Sequence, residues 1–188
     1  MLTVSVKAIT AATISLAYQV TNTENTDIFV ADILYRPAAD GSLSADPQFA
    51  YVMPTENGVL YTGKLLLKVP QGMRIGSPDT PYFRRVVPGE TISGEIVLTN
   101  PAMPYHPYDS YALGENPFAI SRIIVQIGVI SAAKIKPDEG VLRPAPTIGP
   151  AHFKADYGYG LDYQEVLQAE LDVANTGAAF LPITAVDR

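Results

Sequence analysis

Apolar and polar residues alternate one by one along several segments of this chain, and this alternation limits its fold more than any other feature. In residues 2–8 the apolar side chains stand at every second position, and residues 12–20 repeat the pattern. Successive side chains of a β-strand point to opposite faces, so each segment can cover a core on one side and meet water on the other. The sequence therefore predicts a β-strand in both segments.

Residues 28–36 are apolar on both faces, with Asp32 as the one charged residue before Arg36. A strand with two apolar faces is expected at the centre of a sheet, where neither face meets water. The same patterns predict further strands at residues 48–53, 58–62, 64–69, 90–100, 119–131 and 166–173.

Two segments also allow a helix. Asp162 and Glu165 have the spacing of a helix capping box, but the alternation that follows, from Leu167 to Val173, favours a strand there. A second, weaker helix prediction covers residues 109–116. Glycine-containing turns at PTENG, residues 54–58, and at Thr62-Gly63 predict hairpins.

The sixteen prolines avoid the strands with the strongest patterns, since none falls within 1–36, 89–100 or 118–136. Proline removes a hydrogen-bond donor from a sheet, which explains this placement. The prolines instead crowd three long predicted loops at 70–88, 101–117 and 137–150. Loops of this length in compact domains are often functional.

Many short strands without intervening helices predict an all-β protein, an antiparallel β-sandwich with long Pro/Tyr-rich loops. We expect one domain over residues 1–188, because a chain of this length can bury roughly 70% of its unfolded surface. The segments ISLAYQVTNTENTDI and VPGETISGEIVLTN resemble turns and strands of bacterial immunoglobulin-like domains. That resemblance implies an immunoglobulin-like sandwich, although the chain has no Cys and no Trp and so lacks the hallmarks of immunoglobulins.

Charge and composition argue against several classes of function. The formal net charge is -6 and no basic stripe is present, so we expect no nucleic-acid binding. Without cysteine there is no disulfide and no thiolate metal site. No apolar run reaches 18 residues, so we predict a soluble, acidic protein without membrane insertion. The N-terminus lacks a signal-peptide pattern, which favours the cytoplasm; a mature form of an exported protein is the alternative.

The loop at residues 101–117 is the first candidate binding site. Tyrosine offers a large contact area at low entropy cost, and tyrosine-rich loops often bind partners. The alternative is that these tyrosines fold back and cap the end of the sandwich. The candidate binding residues in this loop are Tyr105, His106, Tyr108, Asp109 and Tyr111.

A second aromatic segment, residues 151–163, adds Tyr157 and Tyr159 to the candidate binding residues. Its glycines permit backbone angles that other residues avoid. The functional interpretation is a contact surface beside the first loop. The alternative, which we favour, is a bulged edge strand.

Catalytic and metal-binding patterns are weak. His106 lies near Asp109 and Ser110, but a Ser-His-Asp triad depends on the fold, and its geometry cannot be inferred from this spacing. The segment from Asp40 to Asp46 spaces oxygen ligands as a calcium loop does, yet lacks the later Gly and Glu, and we interpret it as a polar turn. We therefore predict no enzyme activity, no metal and no cofactor.

The leading hypothesis is a non-enzymatic interaction module that binds a protein partner, or another copy of itself, through the Pro/Tyr-rich loops. Alternatives are a carbohydrate-binding module, a structural subunit of a larger assembly, and a hydrolase that uses His106. Carbohydrate binding would need two exposed, coplanar aromatic rings on one face.

Overall fold

The computed structural model describes residues 1–53, 57–76, 79–109, 112–136 and 139–184. These residues are mostly in β-strands with one short helix, so the all-β prediction is confirmed. The elements in chain order are β1 (Leu2–Ile9), β2 (Thr13–Thr21), β3 (Ile28–Pro37), β4 (Leu43–Asp46), β5 (Tyr51–Met53), β6 (Val59–Lys64), β7 (Tyr82–Val86), β8 (Thr91–Thr99), β9 (Ala112–Leu113), β10 (Phe118–Ala119), β11 (Arg122–Ser131), β12 (Leu142–Pro144), β13 (His152–Ala155), α1 (Tyr157–Tyr163), β14 (Gln164–Asp172), β15 (Ala179–Phe180) and β16 (Ile183–Thr184).

Two large sheets contain most of the described strands, and two further pairs, β10–β15 and β9–β16, form small two-stranded sheets. Sheet A has the order β1-β2-β8 and is antiparallel throughout. Sheet B has the order β12-β13-β7-β3-β11-β6-β5, with β14 also paired to β11 and β4 also paired to β3. The pair β6–β11 is parallel, which the prediction of a purely antiparallel arrangement did not include.

One apolar core joins the two sheets. Ile14, Leu16 and Ile96 of sheet A lie in the same buried cluster as Ile123 and Val125 of sheet B. These residues occupy the alternate positions that the sequence pattern selects, which is why the strand predictions for β1, β2, β8 and β11 are confirmed. The partly buried Leu2 and Val4 of β1 pack against the same core.

The opposite face of sheet B is also covered. Phe29, Phe83 and Ile130 form a second buried cluster, against which Leu161 of α1 packs. Strand β3 pairs with β7 and β11 and contributes buried residues to both clusters. The prediction that residues 28–36 form a central strand is therefore confirmed.

The predicted strand at 64–69 and the hairpin at Thr62-Gly63 are wrong. Residues 59–64 form one strand through Gly63, and the next residues pair with no strand. Side chains supply their hydrogen bonds instead. The Gln164 amide bonds both the N–H and the carbonyl of Leu66, and the Tyr157 hydroxyl does the same between Val69 N–H and Leu67 carbonyl.

The last predicted strand is confirmed as β14, but the helix alternatives are misplaced. Helix α1 ends at Tyr163, so the expected capping box at Asp162 lies at the end of a helix and does not begin one. Residues 112–113 form β9, and residues 110–111 of the helix predicted at 109–116 lie outside the described residues. Strand β13 lies between β12 and β7, so the edge-strand interpretation of residues 151–163 is wrong.

No helix in the described part of the chain has the length and apolar character needed to cross a lipid bilayer.

Candidate functional site

The start of the Pro/Tyr-rich loop is attached to sheet B. Tyr105 and Val52 exchange two main-chain hydrogen bonds of 2.8 and 2.9 Å. Ala102 forms a parallel bridge beside Phe180 of β15, with main-chain hydrogen bonds to Ala179 and Leu181. Because these bonds are made by the main chain, they hold the loop in place whatever its side chains are. The loop therefore acts as an extra edge segment beside β5.

Two of the loop tyrosines pack against the protein. The Tyr105 ring lies 6.2 Å from that of Tyr51, nearly parallel, and 5.1 Å from that of Phe49, edge to face. Tyr108 is 6% exposed and belongs to a third buried cluster with Leu34. Burial raises the pKa of Tyr108 to about 12. Tyr108 therefore covers the core, whereas Tyr105 is half-buried and presents part of its ring.

His106 organises the turn that follows. Its Nδ1 accepts a 3.2 Å hydrogen bond from the Tyr108 N–H, and Asp109 Oδ2 lies 3.5 Å from the same nitrogen. Burial lowers the pKa of His106, and Asp109 opposes that effect. An Nδ1 that accepts a bond carries no proton, so the neutral imidazole fits this geometry. Ser110 and Tyr111 lie outside the described residues.

The second aromatic segment meets the first at one point. Tyr157 of α1 lies close enough to Tyr108 to contribute to the raised pKa of that tyrosine. The Tyr157 hydroxyl is already bonded to the main chain of Leu67 and Val69, at 3.1 and 2.6 Å. Tyr159 is 44% exposed. Of this pair, Tyr159 has the more accessible ring.

An apolar groove of about 260 Å³ lies beside Tyr105. We call it the loop groove. Met103, at 45% exposure, is its most exposed large apolar residue. Its lining consists of Arg36, Pro37, Phe49, Ala50, Val52, Val97, Leu98, Thr99, Met103, Pro104 and Tyr105.

The charged wall of the loop groove is Arg36. Its guanidinium lies 5.0 Å from the centroid of the Phe49 ring, and its Nε forms a 2.6 Å salt bridge with Asp46 of β4. Both contacts fix the side chain along the groove, with a cation–π contribution from the ring. Sequence reasoning did not select Arg36 or Phe49, because they come from segments far from the tyrosine loop in sequence.

The β3–β4 hairpin extends from one wall of the loop groove. Residues 37–45 are exposed throughout, and Leu43 is 55% exposed. Strand β4 pairs with β3 and with no other described strand. At the tip, Asp40 accepts hydrogen bonds from the N–H and the hydroxyl of Ser42. This bonding fits the polar turn that we predicted for residues 40–46, although the second half of that segment is a strand.

A buried lysine lies between the two sheets. Lys64, the last residue of β6, is 0% exposed. Its ammonium donates to the Tyr18 hydroxyl at 3.0 Å and to the carbonyls of Asp32 and Glu95 at 2.9 and 3.3 Å. It also bonds the carbonyl of Pro47. Burial lowers the pKa of Lys64 to about 8.

The lysine is one end of a chain of polar groups. The Tyr18 hydroxyl also donates to Asp32 Oδ1 at 3.3 Å, and Asp32 Oδ2 lies 3.2 Å from His152 Nε2. Gly94 leaves room for the Tyr18 ring, because a Cβ there would lie 2.2 Å from Tyr18 Cζ. These contacts connect β2 and β8 of sheet A with β3, β6 and β13 of sheet B. We therefore assign a structural role to this series of hydrogen-bonded polar groups.

The described residues do not include the exposed aromatic pair that the carbohydrate alternative requires. The nearly parallel rings are Tyr51 and Tyr105, at 17°, but Tyr51 is 2% exposed. Over the same part of the chain, no group of three or more His, Cys, Asp or Glu side chains is arranged to hold a metal ion.

The chain matches no protein-family model, and neither the curated proteins nor the solved structures contain a match to it.

Proposed function

We propose that this protein is a non-enzymatic interaction module that associates with a second copy of itself through the loop groove. The observation that carries the proposal is the pairing of two features on one surface. An apolar groove is open beside Tyr105, and an exposed hairpin that presents Leu43 extends from its wall.

The occupant that we propose for the groove is the Leu43 side chain of the second copy. A two-fold contact uses the same patch on both subunits, so a protruding apolar group and a groove on that patch can satisfy each other. Burial of a leucine side chain contributes about 1.5–3 kcal/mol. The contact would count this gain twice, once for each hairpin.

Local charge does not oppose such a contact. Arg36 is paired with Asp46, and Asp40 is bonded within its own turn. The charges on the groove wall therefore balance, and Asp40 leaves one negative charge at the hairpin tip, whereas the whole chain carries a net charge of -6. Like charges across an interface would have cost free energy.

The scaffold in this proposal is an immunoglobulin-like sandwich in which sheets A and B enclose the first core. Support comes from the core residues that the two sheets share. A cytoplasmic location and the absence of nucleic-acid binding stay part of the same proposal, on the charge and N-terminal pattern of the sequence.

Sedimentation velocity over a range of protein concentrations tests the proposal. The wild type should show a dimer that grows with concentration, while Leu43→Asp and Met103→Asp should stay monomeric. Val87→Asp is the matched control, because Val87 is 43% exposed and lies away from the groove lining.

Two results would contradict self-association through the groove. One is a wild-type protein that stays monomeric at every concentration, which would leave a different protein as the occupant. The other is a dimer that all three variants form equally well, which would place the interface elsewhere. Circular dichroism of each variant shows whether it is folded.

A further inference from the structure

Two cations lie directly opposite each other on sheet B. Arg143 of β12 pairs in register with Lys154 of β13, and Lys154 pairs in turn with Tyr82 of β7. Directly opposite residues on neighbouring strands have Cβ atoms about 5 Å apart, and like charges in this position repel each other. Both cations are exposed, and neither forms a salt bridge with a described residue.

The same residues line a cleft of about 370 Å³. Thr147 adds a hydroxyl to the wall. The Lys154 ammonium lies 5.5 Å from the centroid of the Tyr35 ring and 5.9 Å from that of Tyr82. These two rings therefore hold the ammonium beside the cleft by a cation–π interaction.

The tyrosines also offer a proton donor. The hydroxyls of Tyr35 and Tyr82 are hydrogen-bonded to each other. Tyr82 lines the cleft, and its hydroxyl can donate to a bound acceptor when Tyr35 is the donor in the shared bond. Burial, followed by the hydrogen bond to Tyr82, raises the pKa of Tyr35 to about 12.

We propose that this cleft binds the oxyanion group of a ligand, a phosphate, a sulfate or a carboxylate, between Arg143 and Lys154. The guanidinium of arginine presents paired donors that match two oxygens of such a group. Lys154 supplies a second positive charge, which the two tyrosine rings hold beside the cleft. A bound oxyanion would also remove the repulsion between the two cations.

The carboxylates near the cleft limit what it can hold. Asp156 is part of the lining of the cleft. Burial raises the pKa of Asp79, and Lys154 lies close enough to that carboxylate to oppose the effect. These charges disfavour a second anion in the cleft. We therefore expect the cleft to hold a single oxyanion group, between Arg143 and Lys154.

The test is a titration of ¹⁵N-labelled protein with sodium phosphate, sodium sulfate and sodium acetate, each followed by the amide shifts of Tyr82, Arg143 and Lys154. Sodium chloride at matched ionic strength is the reference, because exposed charges respond to salt alone. We expect saturable shifts with at least one oxyanion. Tighter binding of phosphate and sulfate would assign a tetrahedral group, and tighter binding of acetate a carboxylate.

Variants locate the site. Arg143→Ala and Lys154→Gln should each weaken binding about tenfold, as expected for loss of a charged hydrogen-bond donor. Asp156→Asn should tighten it, because a repelling carboxylate is removed. Lys68→Ala is the control, since Lys68 is an exposed lysine outside the cleft and its loss should leave binding unchanged.

The proposal is wrong if the three oxyanions and chloride give the same unsaturated shifts. It is equally wrong if Arg143→Ala and Lys154→Gln bind as tightly as the wild type. All of the substituted side chains except Asp156 are exposed, so we expect the variants to fold. The result does not depend on whether the protein self-associates through the loop groove.

Discussion

Replacement of Lys64 by methionine should destabilise the protein by about 3 kcal/mol. Methionine keeps much of the apolar stem of lysine and removes the ammonium. The carbonyls of Asp32, Pro47 and Glu95 then lose a donor in a buried position. Each buried acceptor left without a partner costs about 1–3 kcal/mol.

Part of this loss is returned, because the buried charge is itself costly. Burial lowers the pKa of Lys64 from 10.5 to about 8. At 1.36 kcal/mol for each pKa unit, that cost is about 3 kcal/mol. The three carbonyls together lose about 3–9 kcal/mol. Subtracting the burial cost from the lost hydrogen bonds gives a net loss of unfolding free energy between zero and about 6 kcal/mol, and we take the middle of this range.

Urea unfolding of the wild type and Lys64→Met, followed by circular dichroism, measures this difference. Lys68→Met is the matched control, since Lys68 is exposed and should change stability little. A variant at Lys64 that is as stable as the wild type, or more stable, would refute the reasoning. It would mean that the burial cost of the ammonium equals or exceeds what its hydrogen bonds contribute.

The same lysine predicts a pH dependence whose sign can be stated. The folded protein gives up the Lys64 proton near pH 8, whereas the unfolded chain keeps it to about 10.5. Between pH 8 and the ordinary tyrosine pKa of 10, the unfolded state binds more protons at this lysine, so stability should rise with pH. This gain in stability from deprotonated Lys64 is lost again as the pH falls through 8. Lys64→Met should lack this rise, and an identical pH profile for both proteins would contradict it.

Three further predictions concern the fold. Gly63→Ala should lower the free energy of unfolding in urea by about 3 kcal/mol, because a Cβ there would lie 2.1 Å from a main-chain oxygen of β11. The control Gly76→Ala should be neutral, since a Cβ at that position meets no atom within 4 Å. Asn22→Ala should cost about 2 kcal/mol, because the buried amide of Asn22 donates to two carbonyls and accepts from one N–H; an unchanged unfolding midpoint would contradict this. Tyr18 and Tyr51 should form tyrosinate only as the protein unfolds in alkali, because burial raises the pKa of both. Ultraviolet absorbance follows the ionisation, and ionisation of all tyrosines together before unfolding would disprove this prediction.

Strands that cover a core on one face could be predicted from the sequence. In β2 and β8 the buried residues stand at alternate positions, so hydrophobic periodicity alone locates them. The segment after Lys64 has the same alternation but is not a strand. Its hydrogen bonds come from the side chains of Gln164 and Tyr157, 88–98 residues away in sequence, and a local pattern cannot reveal such distant partners.

The candidate sites divide in a similar way. Sequence composition selected the Pro/Tyr-rich loop, and the loop does border the loop groove through Tyr105. Composition could not tell that Tyr108 is buried while Tyr105 is half-buried, because that depends on which face of the loop meets sheet B. Arg36 and Phe49 enter the groove from other segments, so no local motif marks them.

The sequence by itself determined that this chain is all-β and where its strongest strands lie, because side-chain alternation is a local property. Proline placement did not mark every other strand, since the predicted loops at 70–88 and 137–150 contain β7 and β12 of sheet B. The tertiary structure decided that Lys64 is buried among carbonyls and that Arg143 faces Lys154. Both facts depend on strand register across the sheets. Register is set by packing between distant segments, and a shift by one residue would reverse which side chains face the core.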